Sequence, residues 1–129
     1  MGLIAAIYSP DPDVFDIISA KAGDAAEMEA KLNAILVAGA SPPNVIDYVL
    51  AGVGQGPEWE TAIVFAVAGG TEPARELVRF FAGVGGSPEE ALAALYRRIA
   101  NQNDLRKVEV AGGGSGTTFM ALALVDAVF

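Results

Sequence analysis

The chain has 129 residues, with eight Lys and Arg, sixteen Asp and Glu, and neither cysteine nor histidine. The missing residue types exclude disulfide bonds, a thiolate nucleophile, a Cys/His zinc site and imidazole acid–base chemistry. A net charge of −8 disfavours nucleic-acid binding, which depends on basic side chains that neutralise phosphates.

Hydrophobic residues make up 53% of the chain, and the mean hydropathy is +0.42. This composition supports a sizeable core, and the length predicts one domain over residues 1–129. No apolar run approaches the roughly 18–20 residues that span a bilayer, and the first residues lack the basic region of a signal peptide. We therefore expect a cytoplasmic protein, or one in a particle assembled there, with no membrane contact and no cofactor.

The first predicted elements are a strand at residues 3–8, a short strand at residues 14–18 and a helix over about residues 25–38. The small and polar stretch 19–23 separates the second strand from the helix. Asp24 is a good N-cap, and Glu27 completes a capping-box pair.

Residues 44–69 contain two runs rich in β-branched and aromatic residues around the loop 54–57, which predicts a β-hairpin. Side chains alternate between the two faces of a strand. One face of the second run holds Trp59, Thr61, Ile63, Phe65 and Val67. The other face begins with Glu58 and Glu60 and then becomes small and apolar, so we expect part of it to be covered.

Two further helices and a second hairpin are predicted in the rest of the chain. Thr71 caps a helix whose apolar face holds Ala74, Leu77, Val78 and Phe81. The cap, proline and glutamate within residues 87–90 begin the next helix. Strands at 105–111 and 117–128 enclose the glycine-rich loop 112–116.

The resulting order, β(β)αββααββ, is a variant of the ferredoxin-like order. It predicts an α+β two-layer sandwich with two or three helices on one face of a mainly antiparallel sheet of five or six strands. The loop sequences AGVGQG (51–56) and AGGGSG (111–116) are similar. This similarity indicates either an αββ unit used twice or the general preference of hairpin loops for glycine.

The last predicted strand is apolar on both faces, as is part of the central hairpin. If helices cover one face of the sheet, the other face is left for a partner, because a face in contact with water would alternate more cleanly. We therefore expect a homo-oligomer that forms through the apolar sheet face.

Three carboxylates lie within predicted strands: Asp47, Glu109 and Asp126. A carboxylate placed in a sheet can act as a general acid or base, or it can form a cross-strand ion pair or an edge charge. The candidate ligand-binding residues are Arg106, Glu109 and Tyr48. No catalytic residue or metal ligand is assigned.

Other polar segments are better interpreted structurally. Loops 54–57 and 112–116 lack the lysine and the following helix of a phosphate-binding loop. The sequence DPDVFD at 11–16 does not match a calcium-binding loop. The residues Glu72, Arg75, Glu76 and Arg79 are predicted to neutralise one another on the outer face of a helix, with an anion site as the alternative.

The sequence GAS at 39–41 and the sequence NVIDYV at 44–49, together with the preceding helix, resemble the corresponding segment of RidA/YjgF-type proteins. The resemblance covers about 25 residues. It implies a trimeric α+β protein that hydrolyses reactive imines between subunits. Arg106 lies one residue out of register with that family's arginine, and residues 53–102 depart from the family's arrangement.

Three functions are consistent with these patterns. The first is a non-catalytic, self-associating subunit with a structural or assembly role, such as a phage- or particle-associated protein. The second is a small-molecule enzyme or binding protein with a pocket between subunits, similar to the RidA/YjgF-type trimers. The third is a regulatory ligand-binding domain of the ferredoxin-like kind.

Overall fold

A computed structural model describes residues 15–38, 43–66, 74–99 and 104–127. Its helices and strands in chain order are β1 (Phe15–Ala22), α1 (Ala25–Val37), β2 (Asn44–Gly52), β3 (Trp59–Ala66), β4 (Val78–Gly85), α2 (Pro88–Tyr96), β5 (Leu105–Gly112) and β6 (Phe119–Asp126). A short 3-10 turn at Arg75–Leu77 precedes β4. The strand predicted at residues 3–8 lies outside the described residues.

The six strands form two antiparallel sheets of three strands each. The first sheet has the order β1-β3-β2, and the second has the order β4-β6-β5. Each sheet is built from one βαββ segment, in which the helix joins the two edge strands and the last strand fills the centre. The described chain therefore consists of two successive βαββ units.

The two units begin their helices with the same hydrogen bonds. The side chain of Asp24 accepts from the backbone N–H of Glu27 at 2.7 Å, and that of Ser87 accepts from Glu90 at 3.1 Å. Each glutamate in turn accepts from the backbone N–H of the residue before the cap, at 3.1 and 2.9 Å. Both helix starts are therefore closed by capping boxes, which confirms the caps predicted from the sequence.

The hairpins of the two units also correspond in register. A bulge interrupts the pairing of β2 with β3 between Val45 and Asp47, and another interrupts the pairing of β5 with β6 between Leu105 and Lys107. Both bulges lie near the start of their strands and at the same distance from the hairpin loop. The structural repeat is therefore a βαββ unit, one strand longer than the αββ unit considered above.

Glycines in the two hairpin loops and at the ends of the adjoining strands allow the two hairpins to pack directly on one another. A Cβ atom on Gly52 would lie 1.9 Å from the carbonyl oxygen of Gly112, and one on Gly114 would lie 2.2 Å from that of Gly54. Neither position has room for a side chain. Both loops connect strands of a hairpin, as the sequence predicts.

The second sheet is the central layer of the molecule. Helix α2 packs on one of its faces, where Ala91 and Leu95 meet Ala121, Ala123 and Val125. The opposite face of the second sheet packs against α1 and against the inner side of the first sheet. The buried residues that the second sheet contributes to this main core are Val78, Phe80, Ala82, Met120, Leu122 and Leu124. The first sheet contributes Trp59, Ile63 and Phe65 from the face that the sequence predicts to be apolar.

Helix α1 lies along the outer edge of β4 and satisfies its backbone groups. The Asn33 amide donates to Phe80 O at 3.0 Å and accepts from Phe80 N at 2.8 Å. Glu29 accepts from Ala82 N at 2.9 Å and also receives two hydrogen bonds from Arg98, at 2.7 and 2.6 Å. These side chains occupy an edge that would otherwise be open to strand pairing.

The helix predicted after Thr71 is wrong. Residues 78–85 form strand β4, in which Val78, Phe80 and Ala82 point to the main core. Short apolar runs fit a helical and a strand period equally well. Pairing with β6 decides between them, and Gly83 and Gly85 then let α2 approach β4 closely.

The α+β class, the helix predicted at 25–38 and both hairpins are confirmed. The second predicted strand is longer than expected, because pairing with β3 extends it through Ala22. The structure has two sheets of three strands where the sequence predicts one sheet of five or six. The edges of β2 and β5 face each other, but side chains rather than a backbone ladder join them.

Candidate functional site

A cluster of polar side chains joins the first sheet to the second between β2 and β5. We call Asp47, Tyr48, Lys107 and Glu109 the seam. The Lys107 ammonium donates to Tyr48 O at 2.7 Å and to the carboxylate of Asp47. Glu109 lies 3.6 Å from the same ammonium and accepts from the backbone N–H of Leu50 at 3.4 Å. The side chains of β5 thus bind backbone groups on the edge of β2.

Tyr48 is fully buried in the seam. Its hydroxyl oxygen lies 2.6 Å from Leu122 O and 3.0 Å from Lys107 O, so the hydroxyl donates into the second sheet. Its ring meets the edge of Phe80 at a centroid distance of 5.2 Å, and the Lys107 ammonium lies 4.8 Å from the ring centroid. Burial raises the pKa of Tyr48, so the hydroxyl remains a protonated donor.

The charges of the seam stabilise one another. The hydrogen bond from Lys107 lowers the pKa of the Asp47 carboxyl, against a smaller effect of burial. Burial alone would lower the pKa of Lys107, but the contacts with Asp47 and Glu109 together outweigh it and raise that pKa. Asp47 and Lys107 are therefore charged near neutral pH, and the one lysine contacts the carboxyl groups of both Asp47 and Glu109.

Of the three predicted ligand-binding residues, Tyr48 and Glu109 lie in the seam, whereas Arg106 does not. Arg106 occupies the bulge of β5 and pairs with Asp126 at the end of β6. The sequence prediction does not include Lys107, although strand alternation places residues 107 and 109 on one face. Ligand binding by Arg106, Glu109 and Tyr48 stays a prediction.

The hydrogen-bonding groups of the seam are largely used by one another and by the backbone. No group of three or more acidic side chains in the described ranges is arranged to hold a metal ion. A depression of about 380 Å³ lies elsewhere, between α1 and the end of α2, and Glu29 and Arg98 on its wall are paired with each other. The seam is therefore built to join the two sheets.

The first sheet has an outward side that no described residue covers, which we call the open face. Ile17 on β1 is 62% exposed and Val49 on β2 is 55% exposed. Between them, Ala62 and Val64 on β3 are half-buried. The pairing register places all four side chains on the same side of the sheet.

The open face has a buried counterpart in the second unit. The pairing registers match Val64 with Leu124, Ala62 with Leu122, and Ile17 with Phe80. These three counterparts are at most 5% exposed. The face that is covered in the second sheet is therefore uncovered in the first.

No protein-family model, curated protein or solved structure matches the chain. The resemblance to RidA/YjgF-type proteins therefore rests on the residues quoted above alone. The two helices in the described ranges have 13 and 9 residues, and neither has the length or apolar character needed to cross a membrane.

Proposed function

We propose that this chain is a non-catalytic, self-associating subunit with a structural or assembly role, and that a second copy docks on the open face. The observation that carries the proposal is the pair Ile17 and Val49, two large aliphatic side chains left more than half exposed on a regular sheet. Contiguous apolar surface of this kind commonly marks an interface. The cytoplasm, or a particle assembled there, remains the proposed location.

The second βαββ unit supports this proposal because the matching face of its sheet is covered by another part of the chain. Its own sheet uses the matching face to pack against the first unit, and that packing forms the main core. The open face has the same strand order and register. It carries Ile17, Ala62 and Val64 where the second sheet carries Phe80, Leu122 and Leu124, so its centre is also apolar, although its side chains are smaller. A second copy of the chain would supply the cover that the first sheet lacks.

The size of the open face predicts a weak and reversible association. Its strands have 8, 9 and 8 residues, so the face measures roughly 26 by 14 Å, or about 350 Å² on each copy. The pairing registers place Ser19, Lys21, Asp47 and Glu60 on this side as well, so about half of each face is apolar. Burying the apolar halves of two such faces, about 350 Å² in total, contributes on the order of 9 kcal/mol at about 25 cal/mol per Å². Association costs of about 4–15 kcal/mol offset most of this, so we expect a dissociation constant in the micromolar range or weaker.

Sedimentation velocity over a concentration series from about 1 μM to 1 mM tests the proposal. The wild type is expected to gain mass as its concentration rises. Val49→Lys is expected to remain monomeric, because association would bury an unpaired ammonium. Since Val49 is already more than half exposed in one copy, the substitution should leave the folded protomer intact.

Val37→Lys is the matched control, because Val37 is 78% exposed at the end of α1, away from the open face. This variant should associate like the wild type. A dimer that reaches a plateau indicates a two-fold interface, whereas a mass that keeps rising indicates a head-to-tail contact. A wild type that stays monomeric throughout the series would contradict the proposal.

A further inference from the structure

Arg75 is a buried cation whose charge is not fully compensated within the described chain. It lies in the 3-10 turn before β4 and is only 9% exposed. Its Nη1 atom is buried and has no hydrogen-bond partner in the described ranges. Buried charged groups are normally paired, because removing a charge from water without a partner costs several kcal/mol.

The surroundings of Arg75 provide only part of this compensation. The guanidinium carbon lies 5.8 Å from the centroid of the Phe65 ring, which is fully buried. A cation–π contact of this kind stabilises the charge by about 0.5–2 kcal/mol but accepts no hydrogen bond at Nη1. The apolar ring also excludes water from that side of the guanidinium.

A pocket of about 160 Å³ opens beside Arg75, between the end of α1 and the start of β4. This is roughly the liquid volume of five water molecules, which is enough for a small anion. A second arginine, Arg79, lines the pocket together with Asn33, and Glu76 is the acidic residue on its wall. The described ion pairs include none between Arg75 and Glu76.

We propose that the pocket beside Arg75 binds a small oxyanion, a carboxylate or phosphate group, which supplies the counter-charge that the Arg75 guanidinium lacks within the described chain. The planar fork of a guanidinium matches both groups and can bind either with two parallel hydrogen bonds. Arg79 adds a second positive charge at the same wall and thereby offsets Glu76. The pocket lies outside the open face, so the proposal is independent of self-association.

Titration calorimetry with inorganic phosphate and with acetate, each compared with chloride at equal ionic strength, measures the binding. The wild type is expected to show saturable binding of at least one oxyanion. Arg75→Met should weaken it about tenfold or more, because a charge-assisted hydrogen bond contributes about 1.5–3 kcal/mol. Arg97→Gln is the control, since Arg97 is exposed at the end of α2 and outside the pocket.

The two anions distinguish the sources of the oxyanion. Binding of phosphate alone assigns the pocket to phosphate groups, whereas binding of acetate extends it to carboxylates. The absence of saturable binding, or equal binding by wild type and Arg75→Met, would overturn the proposal.

Nuclear magnetic resonance of the wild type gives a test that does not depend on a variant. The side-chain Nε–H signal of Arg75 should shift with added oxyanion and not with chloride, while that of Arg97 stays in place. In chloride alone, Arg75→Met should be at least as stable as the wild type, because an uncompensated buried charge has been replaced by an apolar side chain. A shift common to both arginines would show only a general salt effect and would count against the pocket.

Discussion

Replacing Tyr48 with phenylalanine removes one oxygen atom from the centre of the seam. The hydroxyl lies within hydrogen-bond distance of Leu122 O and Lys107 O, and the side chain is fully buried. The ring remains, so its contact with Phe80 and the core volume are nearly unchanged. The substitution therefore removes only the hydrogen bonds between the Tyr48 hydroxyl, in the first sheet, and the backbone of the second sheet.

We expect Tyr48→Phe to lower the free energy of unfolding by about 1–2 kcal/mol. Leaving a buried acceptor without its donor costs about 1–3 kcal/mol. We expect the lower part of this range because both carbonyl groups lie in the paired strands β5 and β6. With a denaturant slope of about 1–3 kcal/mol per molar, the urea midpoint should fall by about 0.5–1 M. The slope itself should not change, because both variants bury the same surface.

Tyr96→Phe provides the control, because Tyr96 is 49% exposed in α2. Its urea midpoint should match that of the wild type, since surface substitutions usually change stability by less than about 0.5 kcal/mol. Equal midpoints for Tyr48→Phe and Tyr96→Phe would refute the claim that the Tyr48 hydroxyl joins the two sheets.

The pH dependence gives the same prediction a second test. The pKa of Tyr48 is raised above its ordinary value of 10 in the folded state, mainly by burial. Above pH 10 the unfolded chain loses a proton that the folded chain keeps, so unfolding becomes easier by about 1.4 kcal/mol per pH unit. This contribution is complete below pH 10 and is lost as the pH rises. Tyr48→Phe lacks it, so its deficit relative to the wild type should shrink in urea melts between pH 10 and 11.

Two further predictions concern the glycine contacts and the charges of the seam. Gly52→Ala should destabilise the protein by more than about 2 kcal/mol in thermal melts, because its Cβ would collide with the backbone of Gly112, whereas Gly56→Ala, where nothing lies within 4 Å, should change little. Asp47 has a lowered pKa because Lys107 hydrogen-bonds to it, so its contribution to stability is present above about pH 4 and is lost as the pH falls further. Asp47→Asn should therefore have a shallower acid limb than the wild type in urea melts from pH 6 to 2.5, and identical limbs would contradict this pairing. The effect should be small, because the Asp47 side chain is 52% exposed and solvent screens the pair.

Local signals in the sequence predict most of the elements. The caps at Asp24 and Ser87 predict the starts of both helices, because a capping box involves only neighbouring residues. The alternation of side chains along the strand predicts which side of β3 is buried, because it too involves only neighbouring residues. These features depend on the chain within a few residues and can be read without knowledge of the fold.

The features that the sequence does not predict depend on residues that are distant along the chain. Strand β4 is held by pairing with β6, more than 30 residues later, and its local pattern also fits a helix. Once that segment is taken as a helix, Arg75 is placed on an exposed face, whereas the structure buries it. The contacts of Lys107 and Glu109 with the edge of β2 likewise join residues that are distant along the chain, and no local pattern shows them.

The candidate seam could be predicted only in part. Tyr48 and Glu109 stand out because polar groups within strands need partners. Lys107 is easier to overlook, since a lysine in an edge strand usually serves to discourage aggregation. Its role depends on Asp47 across the seam, and only the packing of the two units places the two side chains together.

The two units differ in sequence where their surroundings differ. On the buried face of the second sheet the central strand carries Met120, Leu122 and Leu124, and the matching positions of the first sheet carry Glu60, Ala62 and Val64. A permanently buried face would not carry the charged side chains of Glu60 and Lys21, which lie opposite each other. A face in contact with water alone would not carry Ile17 and Val49 on the two strands that flank β3. The open face thus combines an aliphatic centre with a charged margin. An apolar centre with a polar rim is also typical of non-obligate interfaces, so this composition is consistent with the reversible self-association proposed for this face.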